Sequence, residues 1–199
     1  MDRIRREIAR HDLGYLIVDS VGLACDGPPE AAEVAIRFFG ALRELGLGSF
    51  LVAHVNRSGD TDKPFGSAFF HNSGRLTWYA KLEADLGGIT TVGLFCKKAN
   101  TGPKAPPIGY RIEWGDRIAI ARTDVRDIPD LSQHVSVKYR VQAEVAAGAK
   151  TIVEIATALD VPVDTVKKAV DRDQKAPRPA FVRVLGGDSV YRVGLVHVA

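Results

Sequence analysis

Apolar positions follow two rhythms along this chain. Across 30–45 they recur at Val34, Ala35, Phe38, Leu42 and Leu45, which is the spacing of one helix face, and Gly46 and Gly48 supply the stop. On either side lie the compact runs YLIVDS (15–20) and SFLVAHV (49–55). Neither alternates, so both predict buried strands of a parallel sheet. Strand, helix, strand in that order predicts a parallel sheet with crossover helices. A short amphipathic helix over 2–11, with Ile4 and Ile8 on one face, precedes the first strand, and Asp26-Gly27-Pro28-Pro29 reads as a turn. Beyond the polar loop 56–64 the pattern predicts a short helix and a strand around 76–82. A strand over 89–99, a Pro/Gly-rich loop and, in YRIEW and RIAIAR, two short strands near the sheet edge follow.

The style changes after 123–132, a polar stretch containing Pro129, where the domain boundary is placed: 1–132, then 133–199. The second part predicts helices over 135–147, 151–159 and 163–173. Thr151 and Glu154 have the spacing of a capping box, and Val161-Pro162 makes a tight connector. FVRVL, the turn Gly186-Gly187-Asp188 and SVYRVGLV predict a hairpin. Three helices and a terminal hairpin describe a small winged-helix (helix-turn-helix) domain.

Composition narrows the setting. Of the 199 residues 46% are hydrophobic, enough for a core, yet no run approaches the ~18–20 apolar residues of a membrane helix. The opening MDRIRREIARHD is too charged for a signal peptide, so a cytoplasmic protein with no membrane partner is expected. Cys25 and Cys96 form no CxxC pair, which predicts two buried thiols in a reducing compartment rather than a zinc site. The net charge of +3 lies wholly in 133–199, with 10 Lys+Arg against 7 Asp+Glu, while 1–132 carries 17 of each. A small basic module on a neutral body points to a polyanion as the module's partner.

LIVDS carries the first chemistry. An apolar strand ending in Asp presents a carboxylate at the carboxyl edge of a sheet, where nucleotides bind in α/β folds. Asp19 there suits a magnesium ion, held directly or through water, with Ser20 beside the nucleotide. Many α/β strands end in Asp for purely structural reasons. His54, at the end of the next strand, reads alone as an ordinary satisfied polar group.

In combination, LIVDS, a helix, LVAHVNRSG and KPFGSAFFHNSGRLTWYAK resemble the RecA-like ATPase family over 1–122, nearest to the RepA-type and DnaB-type helicase ATPases. The resemblance implies a partial RecA-like parallel sheet, with Asp19 as the Walker B carboxylate. His54 becomes the sensor of the γ-phosphate, and Gly66, Ser67 and Arg75 fall in the loop after the sensor strand. Lys97 or Lys98, in FCKKANTGP, becomes the finger that reaches a nucleotide held by the neighbouring subunit. If Lys97 is that finger, Ala99 stands where DnaB-type helicases often place a second basic residue. A solvated strand end is the alternative for Lys97 and Lys98, and a surface salt bridge for Arg75. ATP and Mg are the implied cofactors, and a homo-oligomeric ring the implied assembly, since such sites lie between subunits.

The pattern GxxxxGK[ST], whose amides and Lys cradle phosphates, is absent. The family's upstream catalytic acid is absent too, so the chain reads as starting midway through the ATPase core. Three explanations are a split or truncated gene, a start placed too far downstream, or a subunit that completes its site with a second chain carrying Walker A.

In the second part, Ile152, Ile155, Ala156 and Leu159 form one inner face, and Val163, Val166 and Val170 bury the next helix. Lys167, Lys168 and Arg172 remain on outer faces, where a recognition helix meets phosphates in a major groove. Thr165 is placed to reach a base edge or a phosphate. Arg183 and Arg192 make a wing contact, with Lys175 and Arg178 between helix and wing. Asp164, Asp171 and Asp173 weaken this surface, and winged helices also serve as protein-binding or bracing modules. The leading expectation is a fragment or subunit of a DNA-associated RecA-like ATPase or helicase acting in replication or recombination, from a plasmid, phage or mobile element, and inactive alone. The alternative is a non-enzymatic DNA-binding regulator that uses the RecA-like half to oligomerise. A hydrolase unrelated to nucleotides ranks last, because the chain has no nucleophile elbow and no metal-ligand cluster.

Overall fold

The computed structural model describes residues 1–55, 63–84, 87–132 and 134–196. It is a mixed α/β chain with two compact units, Met1–Tyr79 with Cys96–Ala105, and Ala80–Phe95 with Pro106–Ala199.

The first unit begins with α1 (Asp2–His11), which leads into β1 (Tyr15–Asp19). Two helices follow, α2 (Val21–Ala24) and α3 (Ala32–Leu45), and then β2 (Gly48–Val52). Gly46 ends α3 in the left-handed region, φ 69°, which glycine enters without a Cβ penalty. β1 and β2 pair in parallel, Tyr15 opposite Gly48 through Asp19 opposite Val52, so the helices between them form a crossover. Val34, Ala35 and Phe39 of α3 are buried. Phe39 packs with Phe38 and with Phe70 of α4 (Ala68–Ser73), ring centroids 5.5 and 6.1 Å apart. Val21, Leu51 and Cys25 join this cluster.

Both strands depart from the buried state that their runs predict. Tyr15, Ile17 and Phe50 are 57%, 68% and 57% exposed. A parallel strand is buried on both faces only when helices cover both. Leu51 packs into the cluster with α3, and the opposite face, with Ile17 beside Phe50, stays open. Cys25 and Cys96 are free and half-buried rather than buried.

The main sheet corrects the fold expectation. β3 (Leu76–Ala84), β4 (Ile89–Ala99), β5 (Ile108–Glu113) and β6 (Ala119–Thr123) form a four-stranded antiparallel sheet in the order β3-β4-β5-β6. A partial parallel sheet therefore holds for β1 and β2 alone among the described residues. The connections explain why. Parallel neighbours need a crossover of a dozen or more residues, usually a helix, whereas 85–88, 100–107 and 114–118 join consecutive strands directly. β5 and β6 lie near one edge of this sheet, as their short runs predict.

The second unit continues with a 3-10 turn, Val125–Asp127, and α5 (Pro129–Ser132). This polar stretch nonetheless buries Val125 and Leu131, along with Val135 and Phe95. Three helices follow: α6 (Val137–Glu144), α7 (Ile152–Leu159) and α8 (Val163–Gln174). Both halves of the capping box are made. The Thr151 hydroxyl accepts from the Glu154 amide at 3.2 Å, and the Glu154 carboxylate accepts from the Thr151 amide at 2.7 Å. The chain closes with the antiparallel hairpin β7 (Phe181–Leu185) and β8 (Tyr191–Leu195). Val141, Val145, Ile155, Val166, Val170, Phe181 and Val193 make one core from all three helices and the hairpin.

Candidate functional site

The parallel register decides where the first candidates stand. Asp19 is the last residue of β1 and lies opposite Val52, the last of β2, so both strands end at one carboxyl edge. Asp19 is exposed there, and its peptide with Ser20 is cis. Ser20 is buried, and its carbonyl accepts from the Leu23 and Ala24 amides, which starts α2. His54 is exposed two residues beyond Val52, past the strand rather than on it. Its carbonyl accepts from the Phe65 amide at 2.6 Å, and Val55 bridges to Pro64.

The Gly66-Ser67 step is fixed against the loop before α3. The Ser67 amide donates to the Pro29 carbonyl at 2.8 Å. Gly66 has φ 105°, and a Cβ there would meet that carbonyl oxygen at 2.6 Å, so only glycine fits. The Ser67 hydroxyl accepts from the Phe69 amide at 3.3 Å and caps α4.

Arg75, Lys97 and Lys98 gather at the base of β3 and β4. Arg75 is exposed, and its carbonyl accepts from Asn100. Lys97 is half-buried with its ammonium 5.5 Å from the Tyr79 ring centroid, a cation–π distance. Lys98 donates to the His71 and Asn72 carbonyls, at 3.4 and 2.5 Å. Its charge thus sits on the negative end of α4. The six candidates therefore form two groups: Asp19, Ser20 and His54 at the carboxyl edge, and Arg75, Lys97 and Lys98 by the β3–β4 base.

Asp19 fits a magnesium ion in one respect. Mg²⁺ commonly takes one or two carboxylates, with phosphates and water filling the rest, and Asp19 is exposed at the edge. Among the described residues no three His, Cys, Asp or Glu side chains gather to hold a metal by themselves. For ATP the chain carries no phosphate loop of its own.

On α8, Lys167, Lys168 and Arg172 are exposed, as are Lys175 and Arg178 after it, and Thr165 is half-buried. The two hairpin arginines are already engaged. Arg183 pairs with Asp171, and Arg192 forks onto Asp188 at 2.8 and 2.7 Å. The Arg192 guanidinium holds the Asp188 carboxyl far below the usual carboxylate range.

Asp173 does not lie on the outer face that its charge predicts. It is 4% exposed, accepts from the Ala180 and Phe181 amides at 2.7 and 2.9 Å, and pairs with Lys138 of α6 at 2.5 Å. Burial pushes its carboxyl up, but the Lys138 and backbone hydrogen bonds outweigh this and hold it below its ordinary value. Ser136 lines the same groove as this pair, and neither it nor Lys138 is among the site residues that the sequence predicts. The signal was the α8 spacing: Val166, Val170 and Asp173 fall on one inner stripe.

No family model, curated protein or solved structure matches this chain.

Proposed function

We propose that the chain is a fragment or subunit of a DNA-associated RecA-like ATPase, with a winged-helix module at its C-terminal end. One observation carries the reading: the parallel β1–β2 register brings Asp19 and His54 to the same carboxyl edge. That edge is where α/β sheets bind nucleotides. In this reading Asp19 accepts a magnesium ion, and His54 offers a hydrogen bond to the terminal phosphate. Magnesium, when bound, neutralises the phosphate charge and orients the triphosphate. Lys97 reaches toward a neighbouring subunit, while Lys98 braces α4. The exposed apolar face of Tyr15, Ile17 and Phe50 supports a site completed by a further RecA-like segment that carries the phosphate loop. In the C-terminal half, three helices and a hairpin over one core support the winged-helix assignment. Lys167, Lys168 and Arg172 of α8, exposed and without an ion pair among the described residues, support DNA as the ligand.

A fluorescent ATP analogue titrated into the chain with and without Mg²⁺ tests the ATPase half. Half a site predicts weak binding, tightened by Mg²⁺ in the wild type and insensitive to Mg²⁺ in Asp19→Asn. Equal Mg²⁺ dependence in both proteins refutes the role of Asp19. The absent GxxxxGK[ST] pattern favours a second reading, a non-enzymatic DNA-binding regulator that oligomerises through this half. No nucleotide binding at all, together with intact DNA binding, selects it.

A further inference from the structure

We propose that the groove between the start of α6 and one face of α8 seats a single phosphodiester group of the DNA backbone. This rests on the DNA-binding reading of the C-terminal half. The groove encloses about 590 Å³, and Ser136, Lys138, Thr165, Lys168, Arg172 and Asp173 are among its walls. Thr165, Lys168 and Arg172 are three and four residues apart, so they stack along one stripe of α8. Lys167 and Asp171 fall on the neighbouring stripe, where Asp171 engages Arg183 of the hairpin. The adjacent lysines 167 and 168 therefore face different surroundings, and only Lys168 lines the groove.

Three features make the groove suited to an anion. First, its cations outnumber its carboxylates three to one. Asp173 is the single acid, and its charge is already met by Lys138 and two backbone amides. Lys168 and Arg172 have no ion pair among the described residues, unlike Arg183 and Arg192. Second, the first turn of α6 opens into the groove. Its amides have no intrahelical acceptor, and the Ser136 side chain does not cap them. Third, Lys138 is held at the wall by its 2.5 Å pair with the buried Asp173, so its ammonium is placed before any ligand arrives. A phosphodiester matches this set. Its two free oxygens suit a guanidinium fork, an ammonium, a hydroxyl and helix-end amides.

The test uses the full chain and a mixed-sequence duplex, with affinity followed across a salt series. Removing one seated phosphate lowers the salt slope by about 0.9, so Lys168→Ala/Arg172→Ala is expected to show that change. Affinity at fixed salt should fall about ten- to a hundredfold. Both side chains are exposed, so the variant keeps its fold. Ser136→Asp supplies a second readout. A carboxylate there caps α6 from within, so the melting temperature should rise by a few degrees while DNA affinity falls. A purely structural role for this corner would not couple greater stability to weaker binding. A double variant with the wild-type slope overturns the seat and leaves the module's DNA binding standing. A wild type that binds no duplex overturns both. If inorganic phosphate shifts the Ser136–Lys138 amide resonances while the duplex slope is unchanged in the variant, the groove is a free-phosphate site and the backbone assignment is overturned.

Discussion

Replacing Asp173 by Ala removes a carboxylate that joins three elements of the C-terminal core. One oxygen accepts from the Ala180 and Phe181 amides, at 2.7 and 2.9 Å, where the chain enters β7. The other faces the Lys138 ammonium of α6. Phe181 is fully buried, so its amide cannot turn to water when the acceptor is lost. An unsatisfied buried donor costs about 1–3 kcal/mol, and the Lys138 ammonium, whose side chain is 42% exposed, returns to water, so its ion pair adds no more than about 1 kcal/mol. The expected loss is about 2–3 kcal/mol, a sizeable part of the ~5–15 kcal/mol that holds a typical domain. Asn keeps an acceptor but not the charge, and the expected loss is about 1–2 kcal/mol. The carboxyl is held below its ordinary value in the fold, so its stabilisation is present above the unfolded carboxylate pKa of about 3.9. It is lost as pH falls through the lower, folded value. The gap between wild type and Asp173→Asn should therefore be full at pH 7 and shrink below about pH 4. Hydrogen exchange at the Val141 and Val170 amides reads the opening of this core separately from the rest of the chain. An alanine variant within about 0.5 kcal/mol of wild type, well under the cost of one unmet amide, would refute the reasoning, as would an asparagine gap independent of pH.

Other positions test the same structure. Ile155→Ala empties a fully buried site and should cost about 2–5 kcal/mol, measured by urea unfolding. Thr151→Ala breaks the capping box and should cost about 1 kcal/mol, with exchange fastest in the first turn of α7. At Gly109 a Cβ would lie 2.4 Å from the Thr123 carbonyl oxygen of the paired strand. Gly109→Ala should therefore destabilise the β5–β6 pairing by about 1–3 kcal/mol, whereas Gly14→Ala, with open space around it, should not by this mechanism. Lys167→Ala/Lys168→Ala should weaken duplex binding and make its salt slope shallower; an unchanged slope would remove α8 from the DNA-binding account.

Much of the local structure was legible in the sequence. The 151–154 capping box, the glycine stop after α3 and the bounds of β4 follow from short-range chemistry that neighbouring residues decide. Strand direction was not. Each of β3 to β6 shows a strand pattern, but that pattern carries no information about the partner's direction. The short connections did carry it, and they argued for an antiparallel order. The exposure of β1 and β2 escaped for a related reason: an apolar run states what would be stable if covered, not what covers it. His54 lies past its strand because β2 stops at Val52, where the run itself continues. Asp173 is buried because it continues the Val166–Val170 stripe, a position that outweighs the outward preference of its charge. Lys138, thirty-five residues away by number, had no local signal at all.

The nucleotide-facing edge is the central claim, and location is its most direct test. Mn²⁺ substituted for Mg²⁺ and titrated with ATP into the ¹⁵N-labelled chain broadens amide resonances near the bound ion. The account predicts broadening centred on Asp19–Ser20 and reaching His54–Val55, abolished in Asp19→Asn. Broadening centred elsewhere, or the same pattern in Asp19→Asn, would contradict it.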